Sequence, residues 1–328
     1  MKKTVMLVML VLLFTACSVN RVNVRSSDEL SQIEDRELLN VQARRLIEDQ
    51  KLSWEKEDSL NIAYIGDTRS STIKRLSKDD IVPAFRDMSK QMIDEDVDLI
   101  FHCGDISSMG TEIQFQNYYN FVKRIMDIYG IPFLTVVGNH EWNKIDGYKY
   151  YFTYVDSILD YNFDILDSRF LVFSNYGNNG IKNYQFTDLQ LKNLKRLIDL
   201  PEDIKKLMIL THAPIWLRPS KNNGKYQNYF EFDDILIQKR LIDKTKIYCI
   251  NGHQHKYAKK VENNILYLTS GGGGGPFKNP KFLGVDQQNK YFFWIKTIHD
   301  LNSNALRFKI KFRKAKLEKF AVQYNFTF

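Results

Sequence analysis

Short runs of β-branched and apolar residues recur through the middle of the chain, and each stops abruptly at a polar word. Asn61-Ile62-Ala63-Tyr64-Ile65 ends at Gly66-Asp67, and Val97-Asp98-Leu99-Ile100-Phe101-His102-Cys103 ends at Gly104-Asp105. Pro132-Phe133-Leu134-Thr135-Val136-Val137 ends at Gly138-Asn139-His140-Glu141, Lys206-Leu207-Met208-Ile209-Leu210-Thr211 at His212, and Lys246-Ile247-Tyr248-Cys249-Ile250 at Asn251-Gly252-His253-Gln254-His255. Continuous apolar runs this short read as buried strands. Helical stretches are expected from about Asp80 to Glu95 and from Glu112 to Tyr129, the second leading through Gly130-Ile131-Pro132 into the next strand. Strand, helix and strand repeated with crossovers of that length imply parallel strands with helices on the sheet faces.

Further along, a helix over Tyr148 to Leu159 precedes a strand over Arg169 to Ser174, and Asn175 to Gly180 is a turn cluster. Thr187 is placed to cap a helix running to about Asp199, with Pro201 beyond its end. The tail changes character: Arg307-Phe308-Lys309-Ile310-Lys311-Phe312-Arg313 alternates strictly, as do Phe320, Val322, Tyr324, Phe326 and Phe328. Alternation predicts half-buried strands, expected here to form a second sheet whose wet face carries the basic residues. Ahead of the first strand, Leu30, Ile33, Leu38, Val41, Leu46 and Ile47 outline an amphipathic helix over about Asp28 to Gln50. It reads as a tether with a docking helix, or, given its charge density, as a disordered spacer.

The polar words carry the chemistry. One Gly-Asn-His triplet is an ordinary turn. Five strands that deliver Asp67, Asp105, Asn139, His212 and the His253, His255 pair are a different matter, because ligands of open α/β sheets bind outside the carboxyl ends of the strands. Four of the six histidines of the chain lie in these words, which scattered packing histidines would not do. His102, inside a strand, and His299, in the tail region, take bland readings: the first in the core or behind the site, the second peripheral.

In this order, Asp67, Gly104-Asp105, Gly138-Asn139-His140-Glu141, His212 and Gly252-His253-Gln254-His255 resemble the calcineurin-like metallophosphoesterase superfamily. Gly66-Asp67-Thr68-Arg69 and the run Gly271 to Gly275 before Pro276 look like its bacterial, purple-acid-phosphatase-like branch. The resemblance covers about residues 60 to 300. It implies an α/β fold in which a two-layered β-sheet sandwich is flanked by helices. It also implies two divalent or trivalent ions (Fe, Mn or Zn), with Asp105 bridging, Asp67 and His255 on the first ion, and Asn139, His212 and His253 on the second. A hydroxide held between the ions would attack phosphorus in line, with His140 protonating the leaving alkoxide and Glu141 orienting a ligand or His140, or else forming a salt bridge.

Two positions depart from the common pattern. Arg69 stands where many members carry a ligating His, and Ser108 where purple acid phosphatases carry a Tyr that replaces it. Arg has no lone pair to offer, so it is expected to bind phosphate or a carboxylate. The first ion is then completed by water or substrate, or is held weakly. Ala213 to Asn228, leaving directly from a ligand and rich in Pro, Ser, Asn and Gly, reads as a substrate-gating loop or an idle insertion. The glycines Gly271 to Gly275 suit a shaped turn that lets backbone approach the site.

Composition refines this picture. Lys2 and Lys3, the apolar run Val5 to Phe14 and Thr15-Ala16-Cys17 read as an export signal too short to span a bilayer. A small residue before Cys resembles a bacterial lipobox, which would make Cys17 the lipidated first residue; a plain cleavable signal is the alternative. The expectation is a membrane-anchored envelope lipoprotein, periplasmic or surface-facing, with residues 1 to 17 as leader, 18 to 59 as tether and 60 to 328 as the phosphoesterase domain. Cys103 and Cys249, both in buried-type strands, read as buried thiols rather than a bridge. The formal charge of +8, or +6 without Lys2 and Lys3, suits anionic substrates or an anionic surface. The leading function is hydrolysis of phosphomonoesters or phosphodiesters. A nuclease of the same superfamily would want a long basic groove with interleaved aromatics, which is not found, so no specific nucleic-acid partner is expected. A non-catalytic surface binding module is the third reading, and the full set of ligand-type residues argues against it.

Overall fold

The computed structural model describes residues 36–57, 59–69, 83–176, 184–216, 226–243, 245–274, 291–300, 306–314 and 321–327. The leader with Cys17 and the first third of the expected amphipathic helix lie outside the described residues, as do the middle of the loop after His212 and the end of the glycine run.

In chain order the elements are α1 (Leu39–Glu57), β1 (Ser59–Ile65), α2 (Pro83–Asp94), β2 (Leu99–His102), α3 (Glu112–Tyr129), β3 (Phe133–Thr135), α4 (Lys149–Tyr154), β4 (Tyr161–Ile165), β5 (Ser168–Phe173), β6 (Tyr184–Gln185), α5 (Asp188–Leu197), β7 (Lys206–Thr211), β8 (Tyr226–Gln227), α6 (Tyr229–Asp243), β9 (Lys246–Asn251), β10 (Tyr257–Glu262), β11 (Ile265–Ser270), β12 (Tyr291–Asp300), β13 (Leu306–Lys314) and β14 (Ala321–Thr327). Local chemistry sets several of the ends. Thr187 and Gln190 exchange hydrogen bonds at the start of α5, the Gln190 N–H donating to Thr187 Oγ1 at 3.2 Å and the Thr187 N–H to Gln190 Oε1 at 2.8 Å. At the end of α3, Gly130 adopts a left-handed conformation (φ 66°) and its N–H closes on the Met126 carbonyl.

Two six-stranded sheets result. The first has the order β14-β13-β12-β1-β2-β3 and the second β10-β11-β9-β7-β5-β4. Strands β1, β2 and β3 run parallel, as do β5, β7, β9 and β11, while β4 and β10 close the second sheet antiparallel. The sheets face each other: Phe101 of β2 stacks on Phe170 of β5 with ring centroids 5.4 Å apart. Alternation along β7 shows the layering directly, because Met208 and Leu210 enter the inter-sheet core while Leu207 and Ile209 turn to a second core under α5 and α6. The fold is thus α/β, two sheets flanked by helices.

Several expectations need correction. The alternating tail does not build the second sheet. β12 pairs antiparallel with β1 from Ser59↔Asp300 onward, and β13 and β14 extend that same sheet outward. Period-two alternation reports which face a residue takes and says nothing of which strand lies beside it. Nor is the basic face wholly wet, since Lys311 pairs with Glu95 at 2.8 Å and Lys296 donates to the Glu95 carbonyl at 2.7 Å. Strands β4 and β10 and helix α6 were not anticipated. His299 is distant in sequence from the site words but is buried rather than superficial. Cys103 and Cys249 are buried free thiols.

Helix α1 is part of the compact unit Leu38–Phe328. Leu39, Ala43, Ile47 and Trp54 are buried in the main core, so the globular part starts ahead of the boundary placed at residue 60. Asn40 ties this helix to the outer edge of the first sheet: its Nδ2 donates to the Thr135 carbonyl at 2.9 Å and its Oδ1 accepts the Thr135 N–H at 2.8 Å. The same amide donates to Asp156, which also takes two hydrogen bonds from Arg44.

Candidate metal centre

β1, β2, β3, β7 and β9 all end at one rim, and the residues that follow them turn inward. Asp67, Asp105 and His253 do so with φ of 58°, 59° and 66°, in the left-handed region that non-glycine residues rarely take. Such strain clusters where the surrounding structure over-determines a functional geometry. The neighbouring glycines allow the crowding. A Cβ on Gly252 would stand 2.8 Å from Asp67 Oδ2 and 2.7 Å from the Cys103 carbonyl, and one on Gly271 would stand 2.9 Å from the same Asp67 oxygen.

The six residues singled out as metal-type ligands come together. His212 is fixed by its Nδ1, which donates to the Cys103 carbonyl at 2.8 Å and leaves Nε2 facing inward, 3.2 Å from Asp105 Oδ1 and 3.1 Å from Asn139 Oδ1. His253 places Nδ1 3.0 Å from the same Asn139 oxygen. Across the site, His255 Nε2 stands 3.3 Å from Asp67 Oδ1. The two oxygens of Asp105 look to different sides, Oδ1 to His212 and Oδ2 toward Arg69 at 3.7 Å and His140 at 3.9 Å.

These distances fit a cation. Donors about 2.1 Å from one ion and at right angles lie about 3 Å apart, and Asp67, Asp105 and His212 bring ligand atoms within 4.8 Å of one another. Asp67 is fully buried, and neither of its oxygens meets a hydrogen bond of ordinary geometry among the described residues. A buried carboxylate left in that state wants a positive charge. Carboxylate, amide oxygen and imidazole are the donor set of a hard or borderline ion.

The electrostatics of the protein alone point the same way. Burial, more than the neighbouring His212 and His255 offset, pushes the Asp67 carboxyl up. Burial opposes a charge on His212, yet the adjoining Asp105 carboxylate overrides it and moves the imidazole to about 9. Burial and His212 hold His253 down at about 3. Without a cation, burial thus disfavours the charged form of Asp67 while Asp105 favours the charged form of His212.

Arg69 enters the middle of the cluster. Its Nη2 lies 2.8 Å from His255 Nε2 and its Nη1 is hydrogen-bonded to His140 Nε2. His140 in turn donates from Nδ1 to the Ser108 carbonyl at 2.6 Å, and its backbone N–H donates to Asp105 Oδ1 at 3.0 Å. Burial lowers its pKa, with Asp105 pulling in the opposite direction.

Glu141 forms no salt bridge among the described residues. It accepts the N–H groups of Asp105, Ser107 and Gly138 at 2.9, 3.1 and 2.6 Å, knitting the loops after β2 and β3 into one piece. Burial and the adjoining Asp105 raise its pKa to about 7. His102 lies in the core behind the site, where its Nε2 bonds Thr68 Oγ1 at 2.9 Å.

Tyr184 was not anticipated. Its hydroxyl donates to Asn139 Oδ1 at 3.3 Å and its ring lies 4.8 Å from that of His253. It belongs to the two-residue strand β6, which pairs with β8 and so brings the far end of the loop after His212 beside the site. Nothing in the sequence marks so short a strand. Ser107, whose Oγ donates to the His140 carbonyl at 2.7 Å, was missed as well.

Residues 60–257 match the family described as calcineurin-like phosphoesterase. No curated protein matches the sequence. Among solved structures, the chain is similar to the purple acid phosphatase PPD1 from yellow lupin, with a TM-score of 0.57 and 16% identity over 82% of this chain and 53% of that one. It therefore spans about half the length of the lupin protein. It is also similar to a dimetal phosphatase from Danio rerio (TM-score 0.56, 14% identity, 82% of this chain and 98% of that one). A third is GAP50, the anchor in the inner membrane complex of Plasmodium (TM-score 0.53, 17% identity, 82% and 88%). Identities this low speak for a shared fold alone.

Proposed function

The chain belongs to the calcineurin-like phosphoesterase family, and from that premise we propose that it hydrolyses phosphomonoesters or phosphodiesters with two divalent or trivalent ions, Fe, Mn or Zn, in the centre described above. The observation that carries the proposal is the convergence of Asp67, Asp105, Asn139, His212, His253 and His255 from five strand ends, with His212 held in the tautomer that turns Nε2 inward. Asp67 and His255 would hold the first ion, Asn139, His212 and His253 the second, and Asp105 both. When bound, the ions supply charge that polarises the phosphoryl oxygens and acidifies water.

The residues of the chain supply the rest. Arg69, buried and without a lone pair, directs its guanidinium at the space between His140 and His255, where a phosphoryl oxygen would receive charge-assisted hydrogen bonds. The Nδ1–H of His140 is engaged by the Ser108 carbonyl and Nε2, the atom that faces the site, accepts from Arg69, so Nε2 is the atom that would carry the proton for the leaving alkoxide once Arg69 turns to the phosphoryl group. Glu141 keeps the loops bearing Asp105 and Asn139 in register through three backbone N–H groups. We further propose that the export signal and Cys17 place this activity at a membrane surface of the cell envelope, a reading supported by the leader pattern alone.

Assay of the purified soluble part, residues 18–328, against p-nitrophenyl and bis-p-nitrophenyl phosphate tests the proposal. Activity should vanish on chelation and return with added metal. Metal-free protein that hydrolyses as fast as the reconstituted protein would overturn it.

A further inference from the structure

Two cavities meet at His140. The smaller, about 360 Å³, holds Arg69, Asp105, His253 and His255 and is polar. The larger, about 940 Å³, has Asn139 and His140 at one end and is walled by Trp142, Tyr150, Tyr176 and Tyr184. Its size is within the range of small-molecule sites, about 300–1,000 Å³. His140 lies on the boundary, with Nδ1 committed to Ser108 and Nε2 on the side of Arg69.

Building on the phosphoesterase reading, we propose that the larger cavity is a subsite for a leaving group that carries a planar aromatic ring, a nucleoside or a simple aryl group. With the phosphoryl group among Arg69 and the ligand residues, the esterified oxygen lies beside His140, and whatever it bears extends between the aromatic walls. Four aromatic side chains stand in those walls, beside Glu112, Lys144 and Asp146. The side chain of Asn143, an amide in the lining, is already used: its Nδ2 donates to the Gly110 carbonyl at 2.8 Å, and its Oδ1 accepts the N–H groups of Ile145 and Asp146 at 2.9 and 2.7 Å. Tyr176 and Tyr184 brace each other, with centroids 5.4 Å apart, and the Tyr184 hydroxyl is taken by Asn139. Recognition by stacking is tolerant, because every base has a π face. The subsite should therefore distinguish ring from no ring and discriminate little among bases.

The test compares substrates that share a leaving alkoxide. On the full-length metallated chain, kcat/KM for adenosine 5′-monophosphate should exceed that for ribose 5-phosphate by roughly tenfold or more, the size expected of one stacked base. A second pair, 2-phenylethyl and 2-cyclohexylethyl phosphate, asks the same of a simple aryl group. Preference in the first pair alone assigns nucleosides, in the second alone small aryl groups, and in both the wider class. Trp142→Ala should erase the preference while leaving ribose 5-phosphate turnover within about twofold, and Trp142→Phe should keep it; Tyr150→Leu serves if the alanine variant does not fold. Equal rates within both pairs overturn the subsite and leave the phosphoesterase reading standing. Should none of the four substrates be hydrolysed, the phosphomonoester half of that reading fails instead, and calorimetric binding of adenosine decides the subsite. Adenosine binding that exceeds ribose binding and weakens in Trp142→Ala supports the subsite, whereas equal binding of adenosine and ribose ends it.

Discussion

Arg69 Nη2 lies 2.8 Å from His255 Nε2. Because a guanidinium only donates, that nitrogen must accept, and the lone pair His255 would give to an ion is the one Arg69 engages. Guanidinium and metal therefore compete for a single atom.

Replacing Arg69 with Ala frees that lone pair and removes a positive charge beside the ligands. Metal content should stay level or rise. Turnover should fall by about 10²–10³-fold, the usual loss when one charge-stabilising donor is removed. Metal analysis, melting temperature and kcat on the same preparation check this. Full activity at normal metal content rules out a contact between Arg69 and phosphate, and a lowered melting temperature with normal activity per folded molecule makes it a loop anchor instead.

His140→Ala leaves all six proposed ligands in place. Metal content near wild type, with kcat lowered by about 10²–10⁴-fold, is the expected result for a lost general acid. The variant should recover part of its rate on substrates whose leaving group needs no proton, such as p-nitrophenyl phosphate compared with an alkyl ester. Loss of an ion would reassign His140 as a ligand.

The place of a ligating Tyr is held by Ser108, whose carbonyl accepts from His140. With no phenolate on a ferric ion there is no strong visible charge-transfer band, so iron-loaded protein should be close to colourless. The hydroxyl of Tyr184, 3.3 Å from Asn139 Oδ1, is the natural suspect if a band does appear. Its disappearance in Tyr184→Phe would identify the ligand.

His299 offers a test of stability away from the site. It is buried in β12, its Nε2 has no partner among the described residues, and burial together with Lys206 lowers its pKa from 6.5 to about 3. Between those values the unfolded chain binds a proton that the folded chain refuses. Stability is therefore fully present above about pH 6.5 and declines on acidification by up to about 1.4 kcal/mol per pH unit. Melting temperatures of wild type and His299→Leu between pH 4.5 and 7.5 should diverge, the variant falling less steeply. Parallel curves would mean that His299 does not titrate in this window.

The metal-type words were legible because the strands that carry them are buried on both faces and so read as unbroken apolar runs. The run from Leu207 to Leu210 ends two residues before His212, and no other reading of it competes. Helix α6 was hidden because Leu241 and Ile242 are exposed near its end and blur the stripe formed by Tyr229, Phe232 and Leu236. The sheet that receives the tail depends on β12 returning to β1, a pairing between distant parts of the chain that no local pattern encodes. Tyr184 reaches Asn139 from a two-residue strand, and the aromatic cavity is assembled from α4 and loops far apart in sequence. Residues gathered by topology rather than by a strand end leave no local trace.

Thr135 belongs to β3, the last strand of its sheet, and its outward N–H and C=O are the groups a further strand would seize. The side-chain amide of Asn40 occupies both, copying the donor and acceptor of a neighbouring backbone. Helix α1 is in this respect a stopper against self-association. A chain trimmed to residue 60 for convenience would keep every proposed ligand and yet present β3 to its own copies, so that its failure would show as aggregation and be mistaken for a defect of the metal centre.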